Sequence, residues 1–370
     1  MISDSIAQLR TWAEIDLSAL RHNLSVAKSY AGDREIMAVV KADAYGHGLA
    51  GVVAALADEV RWFGVANVSE GLEVAANAPG KVLVLGPVLP HERAIAAANG
   101  FVVTVSSFDE AMAFDTLAKE LGIKATLHLT IDTGMGRMGC LESEAAAIAE
   151  AISGLANVRL DGIATHFPSA DEDANFTRAQ ISMTEQLRQS LPETRHFHLS
   201  NSAGLLEFAE LQKSATLMRP GLMLYGLSPL PKHQKELRPV LSLKSRVTLV
   251  RELPPNHGIN YGRTFITERA MRVATIGIGY GDGYPRSISG SGADVLIHGQ
   301  RCPLLGRVTM DQIVVDVSGL EKLPEPGEEA VLIGEQGDQQ QLATELAEKA
   351  GTISWEILTG ITRRVQRVYR

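Results

Sequence analysis

Ile36–Gly48 reads IMAVVKADAYGHG, a run of apolar, partly β-branched residues that ends in Lys41 and a glycine-rich turn. The run predicts a buried strand with Lys41 at its carboxyl end, where α/β barrels assemble their active sites. Burial of an ammonium group is costly and favours the neutral, nucleophilic amine. Lys41 is therefore a candidate Schiff-base lysine, and a surface lysine that simply closes a strand is the competing interpretation.

Short apolar runs alternate with segments of helical spacing on both sides of this stretch, from about Thr11 to Arg219. Helical spacing is clearest in four segments, which are Glu92–Asn99, Phe108–Leu121, Glu142–Ile152 and Thr177–Leu191. Repeated alternation of strand and helix over this length predicts an α/β fold, a (β/α)₈ TIM-like barrel, with a doubly wound sheet as the alternative.

The pattern changes after the charged, proline-containing stretch Pro229–Pro239. The following runs, such as SLKSRVTLV and QIVVDV, predict short strands separated by Gly, Pro and Asn turns. We therefore predict a barrel domain at residues 1–238 and a mainly-β domain at residues 239–370. The N-terminal residues up to Arg10 are expected to be able to pack with the second domain.

Length and composition narrow the functional class. A chain of 370 residues exceeds the usual size of one domain, and 45% hydrophobic with 21% charged residues is typical of a globular protein. A net charge of −8 argues against nucleic acid or an anionic membrane as a partner. No segment is long and apolar enough to span a bilayer, and Cys140 and Cys302 lack metal-ligand spacing, so we expect a cytoplasmic protein.

Lys41–Gly48, KADAYGHG, resembles the pyridoxal 5′-phosphate attachment site of the alanine racemase family. The resemblance implies that Lys41 carries the cofactor covalently and that Tyr45 hydrogen-bonds the cofactor phosphate. Asp132–Arg137, DTGMGR, is also similar to that family and implies that Arg137 holds the substrate carboxylate, for which a guanidinium offers a two-point geometry. Many members have a carbamylated lysine where this chain has Thr130, so another group must brace Arg137.

Three histidines of predicted strands are candidate site residues. His196 and His198 alternate onto one face of RHFHLS, which raises a metal interpretation, but no Asp, Glu or His set with first-shell spacing accompanies them, and we predict no metal site. His166 ends the strand-like GIATHF. By the resemblance, His166 packs against the pyridine ring of the cofactor.

Asn201–Gly204, NSAG, follows a predicted strand. A hydroxyl and backbone N–H groups at a helix start can cradle a phosphate, although an ordinary N-cap gives the same pattern. Together with Met218–Gly226, MRPGLMLYG, the resemblance implies cofactor contacts from Asn201, Ser202, Arg219, Gly221 and Leu222. Arg219 would face the pyridine nitrogen and, because guanidinium only donates, would keep that nitrogen unprotonated.

The second domain contains Ile276–Arg286 and Gly306–Gln312, which both resemble family signatures. The resemblance implies that Tyr280, rather than Tyr284, is a catalytic base supplied across a dimer interface. Met310 and Asp311 of the partner subunit would wall the substrate pocket. Trp355 stands where members often have a cofactor-contacting tyrosine.

Racemisation needs a base on each face of the reacting carbon, and Lys41 and Tyr280 would be those bases. The resemblance therefore implies a homodimeric, pyridoxal 5′-phosphate-dependent racemase that interconverts L-alanine and D-alanine. Three alternatives stay open. They are a racemase of broader range or one for serine or basic amino acids, an amino-acid decarboxylase of the same fold, and a non-catalytic cofactor carrier.

Overall fold

The structure, a computed structural model, describes residues 6–370. The chain divides into two compact units. The barrel unit comprises Leu20–Ala44 and Leu49–Arg238, and the β unit comprises the other described residues, among them Tyr45–Gly48 and Pro239–Arg370. Within the described range, no helix has both the length and the apolar character needed to cross a membrane.

Strand β1 (Thr11–Ile15) and helix α1 (Leu17–Ala31) come first. The barrel unit is built on short strands, which are β2 (Glu35–Val39), β3 (Trp62–Val65), β4 (Lys81–Val84), β5 (Val102–Val105), β6 (Ala125–Asp132), β7 (Cys140–Leu141), β8 (Val158–Ala164), β9 (His196–His198) and β10 (Leu217–Met218). Eight of them pair in parallel in the order β10-β2-β3-β4-β5-β6-β8-β9, and β7 pairs only with β6.

Backbone hydrogen bonds between the segments around β9 and β10 close this sheet into a ring. The Thr216 N–H donates to the Phe197 carbonyl at 2.9 Å, and the Arg219 N–H donates to the Ser200 carbonyl at 3.1 Å. The unit is therefore a (β/α)₈ barrel, as the alternation of strand and helix predicted.

Helices connect the barrel strands, and they are α2 (Lys41–Gly46), α3 (Leu49–Leu56), α4 (Val68–Asn77), α5 (Arg93–Ala98), α6 (Phe108–Leu121), α7 (Glu142–Ser153), α8 (Ala174–Leu187) and α9 (Ser202–Phe208). Their starts follow local capping chemistry. The Asn67 side chain accepts the N–H of Glu70 at the start of α4, and Ser107 accepts the N–H of Glu110 at the start of α6. Helix α6 ends at Gly122, whose φ of 66° suits a residue without a Cβ.

The β unit contains strands β11 (Leu241–Leu253), β12 (Gly258–Ile259), β13 (Phe265–Ile266), β14 (Met271–Ile276), β15 (Asp294–Ile297), β16 (Gln300–Leu305), β17 (Ile313–Asp316), β18 (Glu329–Gln336), β19 (Gln339–Gln341) and β20 (Gln366–Tyr369). Its helices are α10 (Ala343–Ala350) and α11 (Ser354–Gly360). Strand β11 pairs antiparallel with both β14 and β18, and the pairings through β15, β16 and β17 complete a closed ring of six strands.

Strand β1 differs from the sequence pattern, which groups the run at Thr11 with the barrel strands. It pairs antiparallel with β11 and parallel with β20, inside the β unit. The buried carboxylate of Glu14 lies 2.8 Å from an Arg370 nitrogen and 3.3 Å from Lys244 Nζ, so its charge is paired with β-unit cations. The N-terminal residues up to Arg10 were expected to be able to pack with the second domain. Residues 1–5 of this segment lie outside the described residues.

Candidate active site

Lys41 begins a left-handed helical turn, α2, directly after β2. The four residues 42–45 have φ of 52° to 55°, although none of them is glycine. L-residues pay roughly 1–2 kcal/mol each for a left-handed helical conformation. Such strain persists only where the surroundings over-determine it, and it is typical of functional sites. The sequence predicted a glycine-rich turn here but not its left-handed course.

Two acidic side chains hold the barrel-unit part of this turn. Glu70 Oε1 accepts the N–H of Ala42 at 2.7 Å, directly after Lys41. Asp43 Oδ1 accepts the N–H of Leu49 at 2.7 Å and so ties the turn to the start of α3. Both bonds are charge-assisted and therefore stronger than bonds between neutral groups.

The surroundings of Lys41 favour its neutral amine. Burial is the largest cause that lowers the pKa of Lys41, and the charges of Arg137 and Arg219 lower it further, while the Glu70 carboxylate raises it. The net shift is downward, so more of the amine is unprotonated at a given pH than in free lysine. A neutral amine at the end of a barrel strand is a nucleophile and a proton acceptor.

Arg219 follows β10 and is only 5% exposed. Its Nη1 donates to His198 Nδ1 at 2.7 Å, and its Nη2 donates to the carbonyls of Thr165 and Leu199 at 2.8 and 3.0 Å. Nη2 also lies 3.1 Å from His166 Nδ1. Burial lowers the pKa of Arg219 to about 10, which leaves it charged at neutral pH. The hydrogen bonds of Arg219 to the described part of the chain use Nη1 and Nη2 and not Nε.

Arg219 also fixes the protonation of the histidines beyond it. Because guanidinium only donates, His198 Nδ1 must accept, and His198 Nε2 then carries the proton and donates to His128 Nδ1 at 2.8 Å. Burial is the largest cause that lowers the pKa of His166 and of His128, each to about 3, and that of His198 well below its ordinary value. All three imidazoles are therefore neutral at neutral pH.

We expect this neutral histidine set to make the fold acid-sensitive. The unfolding free energy has its full value above the unfolded-state histidine pKa near 6.5. It falls as the pH drops toward the folded-state pKa, because the unfolded chain binds a proton there that the buried histidine does not. Between pH 8 and pH 5.5, each such histidine should cost about 1.4 kcal/mol of unfolding free energy. Urea unfolding of the purified protein at the two pH values measures this loss.

Replacing His128, which is fully buried, should remove one such contribution. His128→Gln should therefore shrink the difference in unfolding free energy between pH 8 and pH 5.5, whereas replacing the exposed His91 with Gln should leave it unchanged. Equal pH dependence in both variants would contradict a neutral, buried His128.

Ser202 links the start of α9 to the segment after β10. Its Oγ accepts the N–H of Gly221 at 3.0 Å and the N–H of Met223 at 3.3 Å, and the side chain is buried. Both acceptor positions of the hydroxyl are occupied, so its proton is left to donate. Leu222 lies between these two donors and begins a short 3₁₀ turn.

Asn201 is the N-cap of α9. Of the two interpretations of NSAG, a phosphate cradle or an ordinary N-cap, Asn201 itself fits the N-cap. Its Oδ1 accepts the N–H of Gly204 at 3.0 Å, and its Nδ2 donates to the Phe167 carbonyl at 3.1 Å. Asn201 therefore orients the loop that presents Ser202.

Arg137 is exposed, and it lies in the loop after β6. The Asp132 carboxylate folds this loop by accepting the N–H groups of Gly134, Met135 and Gly136. Burial raises the pKa of Asp132, but these three bonds outweigh it and the net shift is downward. The carboxylate is therefore ionised at neutral pH and stabilises the loop that carries Arg137.

A second brace of this loop comes from α8. Gln180 Nε2 donates to the Thr133 carbonyl at 3.1 Å and to its hydroxyl oxygen at 2.9 Å, and that hydroxyl lies 2.7 Å from the hydroxyl of Thr165. Gln180 is 1% exposed. Thr130 is buried in β6. The brace thus acts at Thr133, at the start of the loop that carries Arg137.

In the β unit, Tyr280 opens a tight loop packed against the segment before β17. The Tyr280 N–H donates to the Thr309 carbonyl at 3.0 Å, and the Gly281 N–H donates to the Met310 carbonyl at 2.9 Å. A Cβ on Gly279 would collide with the Thr309 carbonyl, so glycine is required there. The predicted residues Tyr280 and Met310 are therefore neighbours.

Arg364 ties this loop to Asp311. Its Nε lies 3.1 Å from Asp282 Oδ1, and its Nη2 lies 2.7 Å from Asp311 Oδ1. The other Asp282 oxygen accepts the N–H of Gly279 at 3.0 Å. Met310 and Asp311 are thus held in one group with Tyr280.

The two tyrosines of GYGDGY have opposite surroundings. Tyr280 is 40% exposed, whereas Tyr284 is fully buried and its hydroxyl has no hydrogen-bond partner among the described residues. Only Tyr280 can therefore reach a bound molecule. Tyr45 is buried and Trp355 is half-buried on α11.

Histidine geometry gives no support to a metal centre. His198 is bonded through one ring nitrogen to Arg219 and through the other to His128. Across residues 6–370, no group of three or more His, Cys, Asp or Glu side chains has a metal-binding arrangement.

Sequence reasoning missed Glu70, Gln180 and His128. Asn67 and Glu70 have the spacing of a capping box, which is a readable signal for a helix start but not for the bond to Ala42. Nothing in the sequence marks Gln180 or His128, because their partners come from distant parts of the barrel.

Two protein-family models match the chain. The model for the alanine racemase N-terminal domain matches residues 15–229, and the model for the alanine racemase C-terminal domain matches residues 240–369. Two curated relatives are named alanine racemase. The one from Halothermothrix orenii is 40% identical over 97% of this chain and 97% of its own, and the one from Symbiobacterium thermophilum is 41% identical with the same coverage.

Solved structures agree with these relatives. Alanine racemase from Clostridium difficile 630 superimposes with a TM-score of 0.92 at 34% identity, over 98% of this chain and 96% of that one. Alanine racemase from Bartonella henselae, described with covalently bound pyridoxal phosphate, gives a TM-score of 0.90 at 28% identity, over 98% and 100%.

Proposed function

Because the chain belongs to the alanine racemase family, we propose that it interconverts L-alanine and D-alanine with two bases, Lys41 and Tyr280. It is an amino-acid isomerase that depends on pyridoxal 5′-phosphate. One combination carries the proposal. Lys41 has a lowered pKa, and the buried Arg219 bonds to the described protein through Nη1 and Nη2 and not through Nε.

The residues of the barrel unit fit this cofactor. Lys41 would hold it covalently, the proton of the Ser202 hydroxyl would donate to its phosphate, and Arg219 Nε would donate to its pyridine nitrogen. His166 would pack against its ring. Asn201, Gly221 and Leu222 are the remaining proposed cofactor contacts of the barrel unit, and Tyr45 and Trp355, which belong to the β unit, are proposed contacts by the family resemblance. When bound, the cofactor withdraws electrons from the substrate and acidifies its α-hydrogen.

Arg219 supports a racemase rather than a decarboxylase. A guanidinium with a pKa of about 10 stays charged and offers no acceptor, so Arg219 would leave the pyridine nitrogen without a proton. This would weaken electron withdrawal by the cofactor and limit side reactions. Asp would have the opposite effect at this position.

Lys41 and Tyr280 would act on opposite faces of the α-carbon. Lys41 Nζ would take the proton from one enantiomer, and Tyr280 Oη would then protonate the opposite face; in the reverse direction the two residues would exchange these roles. Arg137 pairs with the substrate carboxylate and keeps the α-carbon between the two bases.

We propose a homodimer in which each site takes Tyr280, Met310 and Asp311 from the partner subunit. The exposure of Tyr280 and Met310, 40% and 51%, supports this, because a partner would cover these large side chains. We also propose that the barrel domain ends at residue 238 and that the mainly-β domain begins at residue 239. The free cysteines Cys140 and Cys302 support a reducing compartment such as the cytoplasm.

The proposal is tested by incubating the cofactor-loaded protein with L-alanine in deuterated buffer and separating the products by chiral chromatography. We expect D-alanine with deuterium at the α-carbon, because inversion passes through loss of the α-hydrogen. L-Serine, L-lysine and L-arginine, run in parallel, measure substrate range. We expect alanine to react fastest.

Other outcomes separate the alternatives. Faster inversion of another amino acid would retain the mechanism and overturn the substrate. Release of CO₂ would indicate a decarboxylase, and cofactor binding without exchange of the α-hydrogen would indicate a carrier.

A further inference from the structure

The left-handed turn at Lys41 depends on a carboxylate from a neighbouring helix. Glu70, in the first turn of α4, accepts the N–H of Ala42 with Oε1 and the N–H of Ala66 with Oε2, both at 2.7 Å. Ala42 directly follows Lys41, and Ala66 directly follows β3. One side chain thus joins the exits of two adjacent barrel strands.

The same helix-capping device occurs a second time without this link. At α4, Asn67 caps the helix and Glu70 reaches back to the N–H of Ala66. At α6, Ser107 caps the helix and Glu110 reaches back to the N–H of Ser106 at 2.6 Å.

The comparison separates two functions of Glu70. Helix capping uses one carboxylate oxygen in both places, Oε2 of Glu70 and Oε2 of Glu110. At α4 the second oxygen is used on the backbone of the lysine turn. The bond to Ala42 is therefore an addition to capping.

We propose that Glu70 is a positioning residue for Lys41, because its carboxylate fixes the first amide of the strained turn and so orients the amine toward the reacting group. This inference rests on the role proposed for Lys41. The bond holds the first residue of the strained segment, because residues 42–45 all have unfavourable positive φ.

Charge gives Glu70 a second effect on the amine. Among the charged groups around Lys41, Arg137 and Arg219 lower its pKa and Glu70 raises it, and His166 beside Arg219 is neutral at pH 7. Glu70 therefore limits the downward shift caused by burial and by the two arginines. Glu110, the capping carboxylate at α6, is not among the groups that shift the pKa of Lys41, so the titration of Lys41 distinguishes the two carboxylates.

Glu70→Gln and Glu110→Gln form a matched pair, since each removes one capping carboxylate. Hydrogen–deuterium exchange of the full-length protein, resolved at the amide of Ala42, reports the bond directly. We expect exchange at Ala42 to be about tenfold faster or more in Glu70→Gln and unchanged in Glu110→Gln. Thermal unfolding of both variants checks that they are equally folded.

The second measurement is the rate of borohydride-trapped adduct formation with pyridoxal 5′-phosphate across pH. We expect Glu70→Gln to slow it by about fivefold or more and to move its pH midpoint downward, because the amine is misoriented and has lost a neighbouring negative charge. Glu70→Asp keeps the charge and should restore the midpoint. Glu110→Gln should match the unmodified protein in both.

Two results would overturn the proposal: Ala42 exchange that is the same in both glutamine variants, or an adduct midpoint that does not move in Glu70→Gln. Failure of the proposed function is distinguishable, because the unmodified protein would then form no adduct on Lys41 at all, while exchange at Ala42 would still report the Glu70 bond.

Discussion

Lys41→Ala should abolish racemisation, with a loss of at least ~10⁴-fold in kcat, and should remove the adduct that borohydride traps with pyridoxal 5′-phosphate. Lys41 is the residue proposed both for the covalent attachment and as one of the two bases. The alanine side chain can do neither. Lys41 combines a pKa lowered by burial with a place directly after β2. Mass spectrometry of the reduced protein identifies the modified residue.

Lys81→Ala is the matched control for this variant. Lys81 also lies in a barrel strand, at the start of β4, where its Nζ sits 4.7 Å from the centre of the Trp62 ring. It lies at the N-terminal end of β4, opposite the end at which the strands exit toward Lys41, so its loss should leave the adduct and the rate unchanged. An adduct that persists in Lys41→Ala would remove Lys41 from the mechanism.

Most of the barrel could be predicted because local signals and global fold agree there. Helix α6 covers the predicted Phe108–Leu121, since Ser107 caps its start and Gly122 ends it. Helix α8 is Ala174–Leu187 where Thr177–Leu191 was predicted, because the cap is Asp173, upstream of the apolar periodicity. Periodicity marks the buried face of a helix and does not mark its ends.

Placement of β1 could not be predicted in the same way. A five-residue strand carries too little sequence to mark the sheet it joins, and its partners β11 and β20 lie more than two hundred residues away. The left-handed conformation of α2 could not be predicted from the sequence for a related reason. Residues 42–45 have no intrinsic preference for positive φ, so the conformation is imposed by distant groups such as Glu70.

The candidate site residues could be named because they lie in long motifs. The side chains that support them lie in no motif and were not predicted. Lys41 and Arg219 each lie in a recognisable stretch, whereas Gln180 comes from a helix whose sequence shows only core periodicity. A supporting side chain needs only a hydrogen-bond partner at the right distance. Many residue types in many local sequences meet that requirement, so no sequence pattern identifies a supporting residue.

Tyr280→Phe should lower inversion of alanine by about 10²–10⁴-fold while leaving one enantiomer able to exchange its α-hydrogen. Loss of the phenol oxygen removes the base from one face only. Lys41 can still take a proton from the enantiomer that faces it and return one to the same face. In deuterated buffer, that enantiomer should gain α-deuterium without inverting, and the other should gain none. Mass spectrometry after chiral separation measures both.

Tyr284→Phe is the control, because Tyr284 is fully buried and its hydroxyl has no partner among the described residues. It should invert alanine normally and label both enantiomers equally. Equal labelling of both enantiomers in Tyr280→Phe, or inversion at the normal rate, would show that another group serves the second face.

Mixing the two inactive variants tests whether a site is shared between subunits. If Lys41 of one chain works with Tyr280 of the partner subunit, a dimer of Lys41→Ala with Tyr280→Phe has one site with both substitutions and one site with neither. Random pairing makes half of the dimers mixed, so co-refolding at equal amounts should restore about a quarter of the unmodified activity. If both bases came from one chain, each site in the mixed dimer would lack one of them, and the mixture would stay inactive.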